Sequence, residues 1–239
     1  MGFDLVIFDC DGVLIDSEPL AIRADIACLA EEGIVQTEAE ILDRYTGISI
    51  AGMKADLERR FGRKLRDDFE ARHHAALSAL FETDLKAIDG IHAVLDQLSA
   101  PLSLRSCVAS SSTPERLRHA LGLVGLHDRF DPHVFSATMV ARGKPAPDLF
   151  LLAAAQMGVA PGRCVVIEDS LPGVEAAVAA GMTAIGFTGG SHCRAGHAER
   201  LRGQGATLVV ETMTALLPGL AALPLLLRRS PAAGTLRAP

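Results

Sequence analysis

The sequence predicts an α/β protein: a doubly wound parallel sheet with a block of helices inserted after its first strand. Three observations carry that reading. Short apolar runs alternate with helical segments along the second half of the chain, the pattern of repeated βαβ units. The first run, residues 3–9, is almost continuously apolar, as a strand covered on both faces must be. Between the two, residues 17–87 are rich in Ala, Leu, Glu and Arg at helical spacing and contain no convincing strand.

In chain order, "FDLVIFD" (3–9) is the first strand and runs into Asp9, Cys10, Asp11 and Gly12. About four helices follow, punctuated by Gly33, Gly47, Gly52 and Gly62. After "AIDGI" (87–91), helices are expected over 91–100, 114–124, 147–158 and 172–180. They interleave with strands over 102–110, 133–137, 164–168, 183–188 and 206–210. The expected division is a discontinuous, Rossmann-like α/β core (1–16 and 88–227), a helical unit (17–87) and a Pro/Ala/Arg-rich tail (228–239) without fixed structure.

Composition narrows the function. With 239 residues, 49% of them hydrophobic, the chain can bury a sizeable core. The net charge of −6 provides no basic field for nucleic acid or an anionic membrane, so an anionic substrate must be gripped locally. Cys10, Cys28, Cys107, Cys164 and Cys193 are scattered without a CxxC pair, which reads as reduced thiols in the cytoplasm. Asp4, Asp9 and Asp11 interrupt any signal-like start, and residues 216–227 are too short and proline-broken to span a membrane.

The strand ends carry the chemistry. If the extended run persists to Asp11, period two puts Asp9 and Asp11 on one side, and Gly12 lets the backbone turn away. Two carboxylates that close cost stability unless a cation sits between them or they share a proton. Asp-x-Asp-Gly also suits a solvated turn, but the carboxyl ends of parallel strands face the ligand crevice. "CVASSSTPE" ends a strand in Ser110, Ser111 and Ser112 at a helix start, a phosphate-sized anion site, with Thr113 reading as the helix cap. Lys144 precedes a proline, which holds its backbone extended. Glu168 and Asp169 sit at the mouth of another apolar strand, where adjacent acids favour a metal role. Hard oxygen donors suit Mg²⁺ rather than zinc, and a lysine and serine beside Mg²⁺ suit a phosphoryl group. His73 and His74, in "RRFGRKLRDDFEARHH", read as a solvated helix face. His192, Cys193 and His197 match no metal-site spacing and stay without a role.

The succession DxDG, a hydroxyl at a strand end, GKPxPD and EDS resembles the haloacid dehalogenase (HAD) superfamily, over roughly residues 3–190. The similarity is greatest to its helical-cap subgroup, in the β-phosphoglucomutase-like and sugar-phosphate phosphatase branch, and "AIDGI" is similar to 6-phosphogluconate phosphatases. The resemblance implies an Mg²⁺-dependent phosphatase acting on a sugar phosphate or sugar-acid phosphate through an aspartyl-phosphate. Asp9 would be the nucleophile and Asp11 the general acid/base. Ser110, Ser111 and Lys144 would bind phosphate. Asp9, Asp11 (through its carbonyl), Glu168 and Asp169 would bind the metal, and Gly47 and Arg72 of the cap would face substrate. The expected partner is a small phosphate ester, with no nucleic acid or membrane, for a monomer or weak dimer. A receiver-like phospho-aspartate module fits less well, because of the helical insertion and Asp11; a carbon–halogen dehalogenase needs neither Asp11 nor the acid pair. A β-phosphoglucomutase-type mutase is the close alternative, though Ala21 stands where those mutases carry a gating histidine.

Overall fold

In each strand, odd and even residues face opposite sides of the sheet, and helices cover both. The computed structural model describes residues 2–45, 50–100 and 102–229. Six parallel strands, β1 (Leu5–Phe8), β2 (Arg105–Ser110), β3 (Val134–Ser136), β4 (Cys164–Glu168), β5 (Thr183–Phe187) and β6 (Leu208–Val210), lie in the order β3-β2-β1-β4-β5-β6. Ile7 is in register with Cys107 on one side and Val166 on the other. This is the doubly wound, Rossmann-like order; it reverses between β1 and β4, and ligands bind outside the strand ends at such a reversal.

Between β1 and β2 come α1 (Glu18–Glu31), α2 (Glu38–Tyr45), α3 (Ile50–Phe61), α4 (Phe69–Asp84) and α5 (Ile91–Ser99). α6 (Pro114–Leu123) and the single turn α7 (His127–Phe130) follow β2; α8 (Asp148–Gln156) follows β3, α9 (Leu171–Ala179) follows β4, α10 (His197–Gln204) follows β5 and α11 (Met213–Arg229) follows β6. Val6, Phe8, Val108, Val165 and Ile167 pack with α5, α6 and α11 on one face. Leu5, Ile7, Cys107 and Val166 pack with α8, α9 and α10 on the other.

Helices α1–α4 have an apolar cluster of their own, including Ile22, Leu29, Ile41, Leu57 and Phe69. They also lean on the sheet: Leu20 and Ala24 of α1, and Leu77 and Phe81 of α4, join the core above β1. The chain enters and leaves this block through adjacent segments, because the Asp16 N–H donates to Lys86 O and the Ile88 N–H to Leu14 O, both at 2.9 Å.

Three helices escape the sequence reading. α7 is one turn, and α10 buries little besides His197 and Leu201, so neither shows a periodic apolar stripe. α11 contains Pro218 and Pro224, which read as helix breakers, yet Leu216, Leu220 and Leu223 at helical spacing are buried and anchor it to the sheet. Arg228 and Arg229 therefore end a helix rather than begin a tail; residues 230–239 lie outside the described residues. The five cysteines are free, and no helix among the described residues is long and apolar enough to cross a membrane.

Candidate active site

Strand pairing delivers the first carboxylate. The Asp9 N–H donates to Ile167 O (3.0 Å), so the β1–β4 register continues one residue past β1 and aims Asp9 into the crevice. Lys144, on the loop from β3 to α8, donates from Nζ to Asp9 Oδ1 (2.7 Å) and Glu168 Oε1 (2.6 Å), with its side chain 5% exposed. Asp9, Glu168 and Asp169 are buried, and each puts a carboxylate oxygen within 4.8 Å of the others. Burial pushes the Asp9 carboxyl well above the usual carboxylate range; Lys144 opposes the rise, and Glu168, Asp169 and Asp11 add to it. Burial opposes the charge on Lys144 too, but Asp9 and Glu168 outweigh it and hold its ammonium protonated beyond the ordinary lysine range. Three hard oxygen donors gathered this closely fit a divalent cation.

Two glycines make the cluster possible. Gly12 has φ +76°, and a Cβ there would lie 2.0 Å from Asp169 Oδ2. A Cβ on Gly173 would lie 1.7 Å from Glu168 Oε1. The other Glu168 oxygen accepts from the Ser170 N–H (2.8 Å) and Oγ (2.9 Å), while Ser170 Oγ accepts from the Gly173 N–H (3.1 Å) and so caps α9.

Asp11 stands apart from this cluster. β1 stops at Phe8 and the chain turns through residues 10–15, so the extended run does not reach Asp11. Its carboxylate accepts from Ser17 Oγ (2.6 Å), Ser112 Oγ (2.9 Å) and the Arg116 guanidinium (2.9 Å). Burial would raise its pKa, but Arg116 and these hydrogen bonds hold it below the usual carboxylate value. The Arg116 guanidinium also lies 5.3 Å over the ring of Phe81, on α4, a cation–π distance.

A family model described as haloacid dehalogenase-like hydrolase matches residues 3–181. The chain belongs to this family. It is 30% identical over 190 residues to the 6-phosphogluconate phosphatase of Escherichia coli (strain K12), covering 79% of this chain and 84% of that one. It is 33% identical over 198 residues to the β-phosphoglucomutase of Bacillus subtilis (strain 168), covering 76% and 81%. A solved haloacid dehalogenase-like protein of unknown function from Agrobacterium tumefaciens str. C58 superimposes with a TM-score of 0.83 at 40% identity, covering 93% of this chain and 99% of that one. The chain is an enzyme, and its expected class, a HAD-like phosphatase, stands.

Within the HAD frame, the structure brings Asp9, Lys144, Glu168 and Asp169 together and puts the expected phosphate ligand Ser110 at the carboxyl end of β2, where its Oγ accepts from the Ser112 N–H (3.1 Å). Ser111 is exposed, and it is Ser112 that reaches Asp11. Thr113 caps α6 as expected. Arg72 is held by Glu31, Glu32 and Asp68 within the helical block, none of them a member of the carboxylate cluster. Gly47 lies outside the described residues. His73 corrects the expectation of a solvated face: it is buried, with Nε2 2.8 Å from Asp25 Oδ1, because α4 turns this face onto α1; His74 is exposed. Ser17, Ser112 and Arg116 were missed as partners of Asp11. Ser17 sits at the start of α1 and Ser112 within a flagged serine run, but nothing sets Arg116 apart from Arg118 along the chain.

Proposed function

We propose that this protein hydrolyses a small phosphorylated carbohydrate, a sugar phosphate or sugar-acid phosphate, through an aspartyl-phosphate on Asp9. The observation that carries the reading is the contact of Lys144 with both Asp9 and Glu168 inside a buried carboxylate cluster. Asp9, Glu168, Asp169 and the Asp11 carbonyl would hold Mg²⁺, which when bound neutralises charge on the phosphoryl oxygens. Hydrolysis of phosphate monoesters demands a barrier reduction on the order of 20 kcal/mol, and two steps divide it. Asp9 attacks phosphorus in line as the bond to the ester oxygen breaks, and Asp11 gives that oxygen a proton. Water then attacks the aspartyl-phosphate, Asp11 takes its proton, and inorganic phosphate leaves with Asp9 restored. Lys144 holds Asp9 in place and balances charge, with Ser110 and Ser111 at the phosphate. Residues 17–87 form the cap over this core and exclude bulk water. The free cysteines support a cytoplasmic setting.

A second reading, a phosphosugar mutase, is favoured by one observation. Ala21 packs against the core and carries no polar group with which to engage Asp11, but Arg116 joins Asp11 to Phe81 of α4 and so links the helical block to the acid/base by another route. The first test is phosphate release from sugar phosphates, sugar-acid phosphates and phosphoglycolate with and without Mg²⁺. Asp9→Asn keeps the shape and loses the nucleophile, so turnover should fall to background in a folded protein; Mg²⁺-dependent release by that variant would sink the reading.

A further inference from the structure

The segment after β5 reads "SHCRAGH", and its two histidines close on one residue of the carboxylate cluster. His192 Nε2 lies 3.0 Å from Asp169 Oδ2, with both side chains buried. His197 Nε2 lies 2.6 Å from the main-chain oxygen of Asp169. Arg200 fixes the tautomer of His197: a guanidinium only donates, so Nδ1, 3.0 Å from it, accepts, and the proton on Nε2 goes to the Asp169 carbonyl.

The place for His192 is built in. A Cβ on Gly12 would come within 2.9 Å of its Cε1, and a Cβ on Gly190 within 2.8 Å, so its ring occupies a slot that only glycines leave open. The two rings meet edge to face, 6.3 Å between centroids. His197 thus hydrogen-bonds the peptide oxygen of Asp169, while His192 faces one oxygen of its carboxylate at ion-pair distance, with Cys193 Sγ 3.6 Å from the same Nε2.

We propose that His192 and His197 are positioning residues that hold Asp169 as a ligand for the divalent cation, His192 engaging one carboxylate oxygen and leaving the other to the metal. The proposal rests on the metal-dependent reading above. A carboxylate held by an outer partner enters the site already oriented, and removing such a partner lowers metal affinity by about 10–100-fold.

The test is calorimetric titration of the metal-free protein with Mg²⁺, and with Mn²⁺ as a second probe, at one pH. His192→Leu keeps volume but has no donor, so the dissociation constant should rise about ten-fold or more. His192→Gln keeps an N–H near the Nε2 position and should stay within about three-fold of wild type. Thermal unfolding in chelator checks that each variant folds; if His192→Leu does not, His192→Ala is held to the same criterion. Unchanged or tighter binding by the donor-free variant overturns the proposal, as does equal weakening by His192→Gln. A wild-type protein that binds neither ion sinks the metal reading and this proposal together, whereas wild-type binding matched by all variants sinks the proposal alone.

Discussion

Asp9 and Asp11 are two residues apart and live in opposite environments. Asp9 is buried against other acids, which favours its neutral form, while Asp11 is wrapped by donors that favour its ionised form, so the proposed roles require a bound cation to ionise Asp9 and a substrate-bound state in which Asp11 carries the proton. Asp11→Ala should therefore slow alkyl phosphate hydrolysis at least ten-fold more than aryl phosphate hydrolysis, since aryl leaving groups need little protonation. Equal losses on the two substrates would show a structural role. Glu18, in the first turn of α1, is raised from 4.5 to about 7 by its burial and by Asp11 and Asp169. A carboxyl with a raised folded pKa contributes stability that is complete below about 4.5 and is lost as pH rises through about 7. Glu18→Gln should leave the unfolding free energy of the chelated protein unchanged near pH 4 and raise it at pH 8, by about 3 kcal/mol at about 1.4 kcal/mol per pKa unit. A difference independent of pH in denaturant titrations would contradict this.

The joint from β4 to α9 shows how an element boundary becomes a site. Ser170 both caps the helix and holds Glu168, so strand end, cap and carboxylate are one unit, and Gly173 lets the first turn of α9 pass over the Glu168 carboxylate. Gly173→Ala places a methyl where that carboxylate lies. The expected outcome is a destabilisation of about 1–3 kcal/mol in chemical denaturation, with most phosphatase turnover lost; an active variant of unchanged midpoint would mean that Glu168 moves freely. The EDS motif was legible in the sequence because acids are poor β formers, but the need for glycine three residues later arises from the close approach of α9. β1 illustrates the opposite case. Its apolar run was plain and its pairing with β4 reaches Asp9, but whether the extended run went on to Asp11 stayed open, because the turn through residues 10–15 depends on hydrogen bonds to Cys10 O that no alternation of residue types reveals.

The helical block and the sheet meet around Asp11, where Arg116 bridges Asp11 and Phe81. Family membership and the phosphatase among its relatives favour water as the final acceptor. An assay with β-glucose 1-phosphate and a trace of glucose 1,6-bisphosphate, following glucose 6-phosphate and free phosphate together, separates the two readings. Free phosphate should dominate on at least one phosphosugar of a wider panel. Rapid glucose 6-phosphate formation with little phosphate released from any substrate would establish the mutase.

The succession of the strands, the helices that join most of them, the helical insertion after β1 and the gathering of Asp9, Lys144, Glu168 and Asp169 at the strand ends follow from the chain's own local pattern. The reason is physical: apolar runs mark buried parallel strands, and right-handed crossovers bring their carboxyl ends to the same side. Partnerships between side chains follow no such period. Arg116 reaches Asp11 across 105 positions, His197 reaches Asp169 across 28, and Arg72 is neutralised by Glu31 and Glu32 across 41 and 40. Each pairing was decided by how α6, α10 and α4 pack, since a charged side chain takes the partner that packing brings within a few ångströms.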